Sequence, residues 1–387
     1  MQKIIFSLFV LLFPGLCVTA VPEKFTQLPE LIQKAPSDAR WAVPYNITED
    51  IDLASKLLAK EKAGYWFRNE MQSFTVIKHG KKIIKKKMVR VLAFNILLAV
   101  ENVKDRLVKI IKISQDGGNN KGYSVDWSKA NGMNTDFNVT VPEGHIVLGA
   151  KRVVKSADGG WEEVVYTPYT HDLDTQVMRS RGLTYLKSRL VTASRLLEEQ
   201  NVLSQTFKGS LVSSVVPDDV ALVLSIIEHI DPSRMEEEKI ERLVNEVLVI
   251  VAANRERSYR YAVSKAGARD LFQFIPSTYH SVRAMYPKAK LIPDFVSGMR
   301  NHVNGAEASL LLFDSDLSQL PAEYRDQAKK SKAFLADYLA AAYNCGAPNT
   351  AKALKHGKKW VEHLPKETRL YLMKLHEAKR VLGISWK

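Results

Sequence analysis

Apolar positions along the chain change their period part-way. From Val21 to about Ile51 they follow no period, and Pro22, Pro29, Pro36 and Pro44 argue against long helices there. Leu53, Leu57 and Leu58 then fall on one side of a short helix expected over 52–70. Residues 74–77, and the chain from Ile83 onward, read as strands about a turn at His79-Gly80. Residues 145–154 and 161–166 are β-branched arms flanking Ser156-Ala157-Asp158-Gly159-Gly160, a hairpin pattern. The chain to about residue 170 is therefore expected to be a mixed α+β domain.

Beyond Leu173 the period becomes helical. Leu183, Leu186, Leu190, Leu196 and Leu197 recur among Arg and Lys over 171–215, which reads as a helical connector. Val216-Pro217-Asp218-Asp219 opens a helix whose Val220, Val223, Leu224 and Ile227 share a face, and Pro232 stops it. A longer helix is expected over 236–257, striped by Ile240, Leu243, Val244, Val247, Leu248 and Val251. A final helix over 366–382 precedes Gly383. Residues 216–387 are expected to form a mainly α domain, larger than the α+β domain before it.

Charge and cysteine content narrow the setting. The 387 residues carry 56 basic and 42 acidic side chains, a net charge of +14 that favours an anionic partner. Cys17 and Cys345 are the two cysteines, too few for a disulfide scaffold or a four-cysteine zinc site. Lys3, the apolar run over 4–13 and Val18-Thr19-Ala20 have the form of a secretory leader cleaved after Ala20. The apolar run is shorter than the roughly 20 residues that span a bilayer. Cleavage would remove Lys3 and Cys17, giving an exported, periplasmic or envelope protein with one thiol. No acidic residue lies between Glu70 and Glu101, where Lys78, Lys81, Lys82, Lys85, Lys86, Lys87 and Arg90 gather. That run reads either as a contact for an anionic envelope polymer or lipid headgroups, or as a solvated strand edge whose lysines discourage pairing. It has no aromatic-interleaved nucleic-acid motif, and no nucleic acid is expected as partner.

The chemistry concentrates late. Glu256 ends the 236–257 helix and is followed by Ala262-Val263-Ser264, Gly267, Gln273 and Pro276-Ser277-Thr278. Farther on stand Ala341-Ala342-Tyr343-Asn344-Cys345-Gly346 and Leu364-Pro365-Lys366-Glu367-Thr368-Arg369-Leu370-Tyr371. These three blocks, in this order, resemble the catalytic domain of soluble lytic transglycosylases, the goose-lysozyme-like family that cleaves peptidoglycan. The resemblance covers about the last 170 residues. It implies a lysozyme-like fold, and cleavage of the bond between N-acetylmuramic acid and N-acetylglucosamine with formation of a 1,6-anhydro sugar. One glutamate serves as acid and then base, without metal or cofactor.

Glu256 continues the Val244, Leu248, Ala252 row at four-residue steps, so its carboxyl is expected to face the core, where burial and the helix C-terminus raise its pKa. A plain ion pair with Arg255, Arg257 or Arg260 is the alternative. By resemblance Ser258, Ser264, Gln273, Tyr343, Asn344 and Tyr371 line the cleft, with Tyr343 placed to bond the catalytic carboxyl. Gly267 more simply serves the turn. Asp270 stands where the family usually has glycine, and would narrow the cleft or add a second carboxylate. Cys345 reads as a small filler. Glu228, in Ile227-Glu228-His229-Ile230-Asp231-Pro232, is a rival catalytic glutamate that also ends an apolar helix, and would make 233–261 an insertion. His229 has no second histidine at ligand spacing and reads as structural. Two further activities stay open: a hydrolytic muramidase in which Asp270 activates a water, and an inactive wall-binding protein.

Overall fold

The computed structural model describes residues 47–78, 81–114, 122–128, 135–155, 160–264 and 266–386. The expected leader, Cys17, the four early prolines and the turns at 79–80 and 156–159 lie outside the described residues.

Helix α1 (Ile47–Lys60) turns Ile51, Ala54 and Leu58 inward at three- and four-residue steps. Leu53, expected on that face, is exposed. The helix stops at Lys60 rather than near residue 70 because Tyr65-Trp66-Phe67 favours strand. β1 (Tyr65–Lys78) and β2 (Lys81–Phe94) pair only with each other. β3 (Ile96–Asn102), β4 (Val108–Ile113), β7 (His145–Lys155) and β8 (Trp161–Tyr166) make one antiparallel sheet in the order β4-β3-β7-β8. β5 (Ser124–Trp127) and β6 (Phe137–Val141) form a separate pair. Both faces of β3 are covered: Leu97 and Ala99 join the core under α1, and Ile96, Leu98 and Val100 join a second cluster with Phe137 and Val139. Burial on both sides is why its sequence is an unbroken apolar run.

The rest is helical: α2 (Gln176–Glu199), α3 (Val212–Val215), α4 (Asp218–Ile227), α5 (Ile240–Asn254), α6 (Pro276–Met285), α7 (Phe295–Met299), α8 (His302–Ser318), α9 (Ala322–Lys330), α10 (Lys332–Cys345), α11 (Ala347–Leu354) and α12 (Lys366–Val381). Thr175 caps α2 by accepting from the Met178 amide. α2, read from sequence as a connector, is an inner helix packed on α5 and α8. At Gly182 the approach is so close that a Cβ would lie 2.0 Å from the Leu248 carbonyl oxygen. One apolar cluster runs from Ile51 and Leu58 through Leu97 and Ile146 into α2, α4, α5, α8 and α10. The sheet and the helices therefore share a core. None of the described helices is long and apolar enough to cross a membrane.

Candidate active site

The end of α5 decides where Glu256 goes. The helix terminates at Asn254, whose side chain donates to the Thr167 and Ile250 carbonyls and accepts from the Thr167 amide. Arg255 then adopts φ 49°, ψ −121°, and a single 3-10 turn follows over Arg255–Arg257. This break removes Glu256 from the row of Val244, Leu248 and Ala252. The expected burial of its carboxyl is corrected: the side chain is 57% exposed and pairs with Arg189 of α2 at 3.0 Å. Ion pairing was the alternative, but with Arg189 in place of its sequence neighbours.

Glu228 sits differently. It caps α4, a helix that after its first two aspartates is apolar but for the buried Ser225, and it lines a cleft of about 650 Å³. The same cleft is lined by Ser264, Gln273 and Asn344. The Tyr371 hydroxyl donates to the Glu228 carboxyl. Burial pushes the Glu228 pKa up, while Tyr371 and the Lys374 ammonium pull it down; burial prevails. Lys374 is itself buried and donates to the carbonyls of Ile227 at 2.9 Å and Ile230 at 3.1 Å. It thereby ties the carbonyls on either side of Glu228 to α12.

A strained loop forms one side of the cleft. Arg255, Tyr259, Asp270 and Gln273 all have positive φ without being glycine, at 49°, 54°, 70° and 47°. Such residues cost of order 1–3 kcal/mol each and persist where surrounding contacts fix them. Several contacts do so here. Ser264 Oγ accepts from the Ala268 amide at 3.0 Å, an antiparallel bridge joins Arg269 to Phe274, and the Gln273 amide donates to the Asp270 carbonyl at 2.9 Å. Tyr343 stacks edge-on to Phe274 and Phe313 and donates to the Phe272 carbonyl. Its expected bond to a candidate carboxyl is corrected, since Tyr343 secures the loop and it is Tyr371 that reaches Glu228; neither tyrosine lines the cleft as expected, both lying buried behind it. Asn344 accepts from Thr368 at 2.8 Å.

Two other assignments are corrected. Ser258 is fully buried and its hydroxyl faces the Val251 carbonyl at 3.4 Å, so it does not line the cleft. Asp270 does take the conformation that glycine favours, but its carboxyl neither narrows the cleft nor enters it. It is buried against α8, 3.5 Å from His302 Nε2, and a Cβ on Gly305 would lie 2.0 Å from its Oδ2. Burial pushes the pKa of the Asp270 carboxyl well above the usual range. His302 receives the Tyr185 hydroxyl at 2.7 Å and sits 3.1 Å from the Ser258 carbonyl; burial lowers its pKa to about 4.

The cleft also contains residues that the sequence reading missed. Arg152 and Tyr166 reach it from β7 and β8, and the His229 ring stacks on Tyr259 at 3.5 Å. Burial holds His229 neutral, with its pKa lowered to about 3. Lys374 follows Tyr371 by three residues, a helical spacing that marks a shared face. No local signal pairs β7 with α4. Among the described residues no group of three or more His, Cys, Asp or Glu side chains is placed to hold a metal ion. Comparison with protein-family models, with curated proteins and with solved structures finds no match in any of the three.

Proposed function

We propose that the protein is a peptidoglycan lytic transglycosylase, with a lysozyme-like helical domain, in which Glu228 is the single acid and base. One observation carries this reading: a glutamate whose pKa is raised by burial opens onto a cleft together with Ser264, Gln273, Asn344 and Glu367, residues of the three sequence blocks. A carboxyl kept protonated near neutral pH can protonate a glycosidic oxygen. The resulting carboxylate then takes the proton of the muramoyl 6-hydroxyl as that oxygen closes onto C1. The proton returns to Glu228, no water is consumed, and no second carboxylate is needed. Gln273 and Asn344 offer amide donors and acceptors suited to acetamido groups. Arg152 suits the carboxylates of peptide stems. Asp270 lies outside the cleft and is not placed to activate a water there, the part the hydrolase reading gave it.

The test compares two variants on purified sacculi. Glu228→Gln is expected to lower muropeptide release by 10²–10⁴-fold, the usual worth of a general acid, with an unchanged melting temperature. Glu256→Gln should stay within about twofold of the parent, since it loses only an exposed ion pair. Mass spectrometry should find 1,6-anhydro ends. Full activity in Glu228→Gln, or products with reducing ends, would overturn the reading.

A further inference from the structure

The β1–β2 ribbon is out of proportion to the sheet beside it. Each strand has 14 residues in unbroken register from Tyr65↔Phe94 to Lys78↔Lys81. At about 3.4 Å per residue the arm is roughly 45 Å long. Its base is fastened: the Asn95 amide donates to the Gly64 carbonyl at 3.2 Å, Asn95 Nδ2 to the Ala63 carbonyl at 3.1 Å, and Phe94 packs on Trp161 at 4.8 Å. No further strand pairs with either edge among the described residues.

The outer half of the arm carries exposed apolar side chains on both faces. Ile77 and Ile84 share one face, and each is 70% exposed. Val76 and Ile83 pair on the other face and are exposed as well. A ribbon built for water would cover one of these faces or make it polar. Lysines are interleaved with these residues, and none stands opposite an acid. Lys82 pairs with Ile77, Lys85 with Phe74, Lys86 with Ser73 and Lys87 with Gln72. The one acidic residue of the ribbon, Glu70, is already bound to Arg68.

We propose that this arm is a membrane anchor, whose exposed Val76, Ile77, Ile83 and Ile84 enter the interface of an anionic bilayer while its lysines meet the headgroups. Apolar side chains between flexible cationic ones are what a bilayer interface accommodates, because the lysine stems lie along acyl chains while the ammonium groups reach phosphate. Other occupants satisfy only half of the arm. A second copy would bring two sets of unpaired lysines together. A soluble anionic polymer would neutralise the lysines but leave Ile77, Ile84, Val76 and Ile83 in water. The inference goes beyond the proposed glycan cleavage and does not depend on it.

The test uses the full chain with Cys17→Ser and Cys345→Ser, and an environment-sensitive fluorophore on Ile84→Cys. A second protein carries the probe on Leu107→Cys, an exposed residue of the β3–β4 loop. Vesicles containing about a third phosphatidylglycerol are expected to blue-shift the probe at 84 and brighten it severalfold, and to leave the probe at 107 unchanged. Pure phosphatidylcholine vesicles should give less than a tenth of that response. Changing Lys82, Lys85, Lys86 and Lys87 to Gln should abolish it at physiological salt. An unresponsive probe at 84 would overturn the proposal. So would an equal response to soluble polyglutamate, or a response that grows with protein concentration without lipid, which would assign the arm to a polymer or to a second copy.

Discussion

The hydroxyl of Tyr371 and burial act on Glu228 in opposite senses. Tyr371→Phe removes the hydrogen bond that favours the carboxylate, so the Glu228 pKa should rise further. The alkaline limb of the pH profile for muropeptide release is then expected to move to higher pH, while the maximal rate drops about tenfold because the carboxyl loses its orienting partner. A limb that moved to lower pH would contradict the assigned role. Residue-scale detail was the least legible part of the sequence. The heptad-like row through Val244, Leu248 and Ala252 was read correctly, yet it pointed to Glu256 because nothing local announces the break at Arg255. That residue is neither glycine nor proline. The tether that ends the helix, from Asn254 to Thr167, joins residues 87 apart. The rival glutamate was visible only as a similar helix end, since periodicity reports which face a residue takes and not which end of the molecule it reaches.

Elements were more legible, because their signals are local. Strand alternation and glycine-containing loops located β7 and β8, and apolar spacing located α4, α5 and α12 within a few residues. What escaped was how the elements pack. The leucine recurrence over 171–215 locates α2 but reads only as a helical connector, whereas Leu183, Leu186 and Leu190 bury it against α5 and α8. Gly182 sets the depth of that crossing. Gly182→Ala would place a methyl on the Leu248 carbonyl, which is rigid helix backbone. Overpacking of this kind costs typically 1–3 kcal/mol or more, and the variant should show a lowered urea midpoint with an unchanged m-value. Gly209→Ala, where a Cβ meets nothing within 4 Å, is a weaker control because its φ of 82° carries its own strain.

At the scale of the molecule, sheet and helices share one core and one cleft, a relation no sequence signal foretold, because Arg152 and Glu228 meet only after folding. The shared core also stores charge-poor carboxyls. Burial raises Glu307 and Asp316, both on α8, to about 7. Unfolded, such groups titrate near 4. Between roughly pH 4 and 7 the folded chain therefore holds more protons than the unfolded one, and this contribution to stability declines as pH rises. His229 and His302, with pKa values lowered to about 3 and about 4, act in the opposite sense below about 6.5. They act equally in parent and variant. Asp316→Asn cannot ionise, so its melting temperature should gain on the parent by about 3 °C between pH 5 and pH 8. A difference that stays constant with pH would show that folding does not raise the Asp316 pKa.

Asp270 and Gly305 compete for one small space beside α8. The carboxyl of one occupies the space that a side chain on the other would need. A chain with glycine at 270 could carry alanine at 305, and the present chain carries the reverse arrangement. With aspartate at 270, a methyl at 305 is accommodated only if the carboxyl swings away from its place beside His302, so the side chain at one position sets what the other can carry.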